Sequence, residues 1–135
     1  MSRILNLAAI GAAASGVSDL LKLLGSPRNL IVQANFAYGA GGTSVDAYLQ
    51  TSLDGGQTWI DIANFHFTTS AAVKVYNLYS GTPKTTAVTP TDGALTANTA
   101  VDGVLGALYR CKYVTVGTYT GATSLSIDVV TDQQP

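Results

Sequence analysis

The side chains able to do chemistry are few and scattered. His66 is the single histidine and Cys111 the single cysteine in 135 residues. A nucleophilic triad needs a serine or cysteine served by a histidine that a carboxylate orients, and the chain has no G-x-S-x-G elbow to supply the nucleophile. His66 therefore reads as a strand histidine, satisfied or exposed. Asp54 and Asp61 are the two carboxylates that could divide acid and base roles, yet Asp54 falls in a turn and Asp61 in a strand beside Trp59. A lone cysteine closes no internal disulfide. Placed mid-strand, Cys111 reads as a small buried hydrophobe rather than a reactive thiol. The spacings give no zinc ligand set, no calcium loop and no phosphate cradle. Gly39-Ala40-Gly41-Gly42 is a flexible loop, because no helix follows it as a dinucleotide fingerprint requires. The expectation is no enzyme, no cofactor and no metal.

The most specific local pattern is Ser52-Leu53-Asp54-Gly55-Gly56-Gln57-Thr58-Trp59. It matches S-x-D-x-G-x-T-W residue for residue and resembles the Asp-box hairpin of sialidase-type propellers. In such a turn the Asp side chain accepts backbone N–H groups, glycine takes the strained dihedrals and Trp packs inward. Ser52, Asp54, Gly56, Thr58 and Trp59 are therefore expected to build a structural turn. One copy cannot make a propeller, which needs several blades. Contact with sugar or calcium is the less favoured use.

These residues sit in a run of short strands. Leu30–Tyr38 reads as a strand ended by the glycine cluster. Val45–Thr51 alternates, with Val45, Ala47 and Leu49 on one face and Asp46, Tyr48 and Gln50 on the other. Thr58–Phe67 returns from the hairpin with large apolar groups on both faces, as in a strand that is central or covered on both sides. Ala71–Leu78 follows. Ser80–Asn98 is irregular, with Pro83, Pro90 and the turn Thr91-Asp92-Gly93, and a loop of that length is usually functional or an interaction element. Leu105–Val116 is the longest strand, and Leu125, Ile127 and Val129 mark one face of the last. Tyr109-Arg110-Cys111 resembles the Tyr-x-Cys of an immunoglobulin F strand, without the partner cysteine. Hairpin succession with no βαβ unit points to a mainly β fold, an antiparallel β-sandwich, immunoglobulin-like or jelly-roll-like.

Residues 1–28 read as an N-terminal arm and 29–135 as the sandwich domain. Arg3 followed by an apolar run and small residues has the look of a secretory leader. Gly11 and Gly16 interrupt that run, so it does not span a membrane. Val17, Leu20, Leu21 and Leu24 fall at i, i+3, i+4 and i+7 and predict a short helix, with Gly25 as its C-terminal cap and Pro27 beyond. The arm either packs on its own domain, docks on a neighbouring subunit or is a retained leader.

Composition narrows the function. Charged residues make up 11% and hydrophobic residues 47%, with seventeen Thr, eight Asp, no Glu and a net charge of -1. Nucleic-acid binding needs clustered Lys and Arg, which are missing. Thr without Glu leans towards strands. So little charge suggests a surface partly covered by other subunits.

The stretches YLQTSLDGGQTWIDIANFHFTTSAAVKVYNL (48–78) and DGVLGALYRCKYVTVGTYTGATSLSIDV (102–129) resemble the small virion proteins of tailed bacteriophages. The likeness combines a Thr/Gly-rich β-sandwich, one Asp-box hairpin and an apolar arm. It implies a non-enzymatic capsid decoration, head–tail or tail component, located in the virion. Its partners would be major capsid or tail subunits and further copies of itself. The contacts expected are Ile4, Leu5, Leu7, Ile10, Leu20 and Leu24 in the arm, and Val88 and Leu95 in the long loop. Neither nucleic acid nor membrane is expected as a partner. The alternative is a carbohydrate-binding module in which Trp59, Tyr48, Tyr76, Tyr79, Tyr109, Tyr113 and Tyr119 offer stacking faces.

Overall fold

Alternation of buried and exposed residues is carried by the backbone pairing itself. A computed structural model describes residues 2–11 and 15–133, with backbone alone for 2–9 and 15. The strands are β1 (Ser2–Ala9), β2 (Ser15–Val17), β3 (Leu21–Lys22), β4 (Asn29–Ala37), β5 (Ala40–Gly41), β6 (Ser44–Ser52), β7 (Ile60–Phe67), β8 (Ala72–Tyr79), β9 (Leu108–Val116), β10 (Tyr119–Thr120) and β11 (Ser124–Thr131). Two antiparallel sheets result. The first runs in the order β1-β11-β4-β8. The second runs β2-β9-β6-β7, with β3 beside β2 on the same edge of β9. A small ribbon, β10-β5, closes one end. Among the described residues, only β6–β7 is a hairpin within one sheet; the other long strands alternate between sheets.

The core lies between the two sheets. Leu30, Val32, Ala34 and Phe36 of β4 and Leu125, Ile127 and Val129 of β11 face Val45, Ala47 and Leu49 of β6. Phe36 stacks on Phe67 with centroids 4.9 Å apart, and Tyr119 meets Phe36 edge-on at 5.9 Å. β7 carries apolar groups of both parities because of a bulge. Leu49 pairs with Ala63, but its neighbour Gln50 pairs with Asp61, so Ile62 is the extra residue. The phase shifts there. Phe65 and Phe67 face the core before the shift and Ile60 after it, while Trp59 turns out instead of packing inward.

No helix occurs among the described residues. The helix predicted over Val17–Leu24 is replaced by β2, β3 and an extended link along the edge of β9. Ser18 N–H donates to Cys111 O at 2.8 Å, Ser18 Oγ accepts the Cys111 N–H at 2.9 Å, and Leu23 N–H donates to Ala107 O at 2.8 Å. A helix of two turns is marginal alone, and the open edge of β9 offered these backbone groups better partners. The apolar period is therefore two: Leu21 packs on the core and Leu23 is buried, whereas Leu20 and Leu24 are 59% and 83% exposed. Nor do the described residues before 29 stand off as an arm. β1 completes one sheet against β11, and β2 and β3 complete the other.

Candidate functional site

The polar residues of the second sheet converge on its outer face, and the long loop after β8 lies across them. Asp61 is the centre. A carboxylate in a strand must find donors once it is covered, and this one is 2% exposed. Its oxygens accept Gln50 Nε2 at 2.8 Å, Thr91 Oγ1 at 2.8 Å, and the backbone N–H groups of Gly93, Ala94 and Leu95 at 2.9, 2.9 and 3.3 Å. Three successive amides aimed at one anion form a nest. Gly93 makes it possible, with a φ of 91° that a side chain disfavours.

A second ring surrounds the first. Gln50 Nε2 also donates to Asp92 Oδ1 at 2.7 Å, and Gln50 Oε1 accepts Arg110 Nε at 2.7 Å. Asp92 further meets Arg110 Nη2 and Lys112 Nζ, each at 3.3 Å. The Gln50 amide, with the two cations beside it, holds the Asp92 carboxyl below the usual carboxylate range. Arg110 lies over the ring of Trp59, 4.2 Å from its centroid.

The loop then runs down the outer edge of β7. Asp61 N–H donates to Thr91 O, Asn64 N–H to Thr99 O and Val101 N–H to Ile62 O. Asn64 Oδ1 accepts the Asn98 N–H, and Asn98 Oδ1 accepts the His66 N–H. His66 Nδ1 meets Asp46 Oδ1 at 2.9 Å across the β6–β7 rung, and Asn64 Nδ2 donates to the same oxygen. Among the described residues no hydroxyl or thiol hydrogen-bonds to this imidazole, and no three of His, Cys, Asp and Glu stand together as a metal site. Burial pushes the Cys111 thiol up to about 12, so it stays protonated and unreactive at neutral pH.

The hairpin Ser52–Trp59 has the expected bonding. Asp54 Oδ1 accepts the Thr58 N–H at 2.7 Å and the Ser52 hydroxyl at 2.9 Å, while Ser52 Oγ accepts the Gly56 N–H at 2.9 Å. The Thr58 amide above all holds the Asp54 carboxyl below its ordinary range. Gly56 has a φ of 96°. Beside this hairpin an open groove of about 480 Å³ is lined by Leu20, Lys22, Leu53, Gly106 and Leu108.

The contact residues expected from sequence fall into four groups. Ile10 is in the core. Val88 and Leu95 are half-buried, Val88 against the core. Leu20 and Leu24 are open to solvent, joined by Leu53 at 66% exposure. The side chains of Ile4, Leu5 and Leu7 lie outside the described set, although their backbones belong to β1. The aromatics do not share one groove: Tyr48, Tyr109 and Tyr119 are buried, Tyr76 packs on the core with Phe65, and Tyr79 alone among the seven is well exposed. Gln50, Asp61, Asn64 and Asp92 were missed as a unit. The signals present were a carboxylate inside an apolar strand and the Thr91-Asp92-Gly93 turn. No protein-family model matches the chain, and neither does any curated protein.

Proposed function

We propose that the protein is a non-enzymatic structural component of a tailed-phage virion, present in many copies and working through subunit contacts. The observation that carries this reading is the disposition of its surface. Gln50, Asp61, Asn64 and Asp92 are engaged in holding a loop to a sheet, while His66 pairs with Asp46 inside the sheet and Asp54 with its own turn. Large apolar side chains, by contrast, face solvent: Leu20 and Leu53 at the hairpin groove, Leu24 in the N-terminal segment, and Ile31, Val73, Val75 and Val130 on the first sheet. Exposed apolar groups in clusters mark interaction surfaces, and a chain with 11% charged residues does little to keep them apart.

The strand order supports the jelly-roll member of the two architectures expected. The long and paired strands divide into β1-β11-β4-β8 and β2/β3-β9-β6-β7, which is the interleaving of a double-sheet jelly roll, a layout of viral capsid and lectin domains. That fold analogy supports the reading. Lectin use has less behind it, since one face of Trp59 is occupied by Arg110 and the tyrosines are mostly covered.

Within the virion reading, the block is held rigid by its clamped loop, and the groove beside Ser52–Trp59 together with the first sheet's outer face meets neighbouring subunits. Mass spectrometry of purified particles, with the copy number taken from intensity against the major capsid protein, tests it. The expected result is a stoichiometric, many-copy chain. Absence from washed particles would overturn the reading, and specific capture on a glycan array would replace it with the lectin one.

A further inference from the structure

The two main sheets present four outer edges, and three are blunted by devices that proteins use against edge-to-edge pairing. β2 and β3 are short and interrupted, at three and two residues. β1 breaks register twice against β11. β7 is covered by the long loop through Thr91, Thr99 and Val101. β8 is different. It runs eight residues in unbroken register with β4.

The phase of its free groups follows from the ladder. Ser80 N–H donates to Arg28 O, so the hydrogen-bonded pairs continue as Leu30/Leu78, Val32/Tyr76 and Ala34/Lys74. Val73, Val75, Asn77 and Tyr79 must then turn their N–H and C=O groups away from β4. Tyr79 agrees, since its N–H reaches Asp102 Oδ1 at 2.6 Å. Val73, Val75 and Asn77 have no such partner among the described residues. Their side chains are open as well, with Val73 and Val75 at 55% and 54% exposure. Lys74, the one charge on the strand, does not guard the edge: its ammonium is tethered to His66 O and Asn98 Oδ1.

We propose that β8 pairs with β8 of a second copy of this chain, antiparallel about a two-fold axis at Val75, joining the two four-stranded sheets into one. An antiparallel edge is self-complementary under such an axis, because each free donor meets the equivalent acceptor. In this register Val75 faces Val75 of the partner subunit, Val73 faces Asn77 of the partner subunit and Lys74 faces Tyr76 of the partner subunit. All three unpartnered residues of each copy are then satisfied. Sliding one residue pair one way sets Lys74 against Lys74 of the partner subunit, and like charges directly opposite are unfavourable. Sliding the other way spends a rung on Tyr79, whose N–H Asp102 already holds. This inference does not rest on the virion reading; a soluble dimer with any role would sustain it.

The test uses the full chain in sedimentation velocity across a concentration series, with the Val75→Lys and Val75→Cys variants. The wild type is expected to double its mass as concentration rises. Val75→Lys sets two ammonium groups face to face and is expected to stay monomeric, with an unchanged circular-dichroism spectrum. Opposed residues of a hydrogen-bonded antiparallel pair have Cα atoms about 5.5 Å apart, inside the disulfide range of about 4.4–6.8 Å. Val75→Cys is therefore expected to cross-link to itself under mild oxidation, Val73→Cys alone not to, and a mixture of Val73→Cys with Asn77→Cys to form the hetero-pair. A monomeric wild type at the highest concentration, or cross-linking of Val73→Cys in preference to Val75→Cys, would overturn the proposal.

Discussion

The outer faces of the two sheets are opposites. The second sheet turns Asp46, Gln50, Asp61, Asn64, Arg110 and Lys112 outward, and the loop of residues 80–107 covers much of that face, leaving Gln50 and Asn64 fully buried and Asp61 nearly so. The first sheet turns Ile31, Val73, Val75 and Val130 outward, and no described part of the chain covers them. The charged face is closed, and the open face mixes these apolar side chains with the uncharged Asn29, Gln33, Asn35 and Asn77. Polarity here is mortar for a loop, and the surface left for other molecules is the less charged one.

The largest effect should come from the centre of the closed face. Asp61→Ala leaves three backbone amides and the Thr91 hydroxyl without their acceptor and strips Gln50 Nε2 of one of its two. The expected cost is about 3–5 kcal/mol in urea unfolding, with new protease cleavage between Thr85 and Ala97. If the midpoint moved as little as for a surface change, the clamp would be ornamental. Gln50→Ala removes the bridge among Asp61, Asp92 and Arg110, and about 1–3 kcal/mol is expected by the same measurement.

Acid should loosen the clamp and the hairpin together. Asp54, Asp92 and Asp102 all titrate below the ordinary carboxylate value of 3.8, held by the Thr58 amide, the Gln50 amide and the Tyr79 amide respectively. A depressed folded-state pKa contributes stability that is present above the unfolded value and lost as pH falls through the folded one. Thermal midpoints should therefore be level from neutral pH down to about 5 and drop below about 4. The Asp92→Asn, Asp102→Asn double variant should show a shallower drop.

On the open face the folding effects should be small. Val73→Thr and Val130→Thr are expected to shift unfolding by no more than about 0.5 kcal/mol, since those side chains are half in water already. A loss of several kcal/mol would mean the face is covered from within. Smallest of all is Tyr109→Phe. The Tyr109 hydroxyl is buried without a hydrogen-bond partner among the described residues, so its removal should be neutral or slightly stabilising by the same denaturation curve.

Much of the frame was legible in the residues. Leu125, Ile127 and Val129 alternate and are buried, Val45, Ala47 and Leu49 likewise, and the Ser52–Trp59 turn has the bonding that its residue types dictate. What was not legible depended on contacts remote in sequence. The spacing of Val17, Leu20, Leu21 and Leu24 satisfies a helical period, but a stretch that short obeys whichever edge will pair with it, and Ser18 meets β9 at a residue 93 positions away. The bulge at Ile62 decides which way Trp59 points, and no local signal marks it. Asp61 looked like a candidate acid because its donors lie 30 to 34 residues further on, in a loop whose path no periodicity describes.

Residue-resolved amide hydrogen exchange at low and at high protein concentration addresses the contrast between the faces most directly. Slow exchange is expected at Gly93, Ala94 and Leu95 at both concentrations, although they sit in a loop. Fast exchange is expected at Val73, Val75 and Asn77 in dilute solution, with protection on concentration. Rapid exchange of the three loop amides, together with β8 amides already protected when dilute, would contradict that contrast.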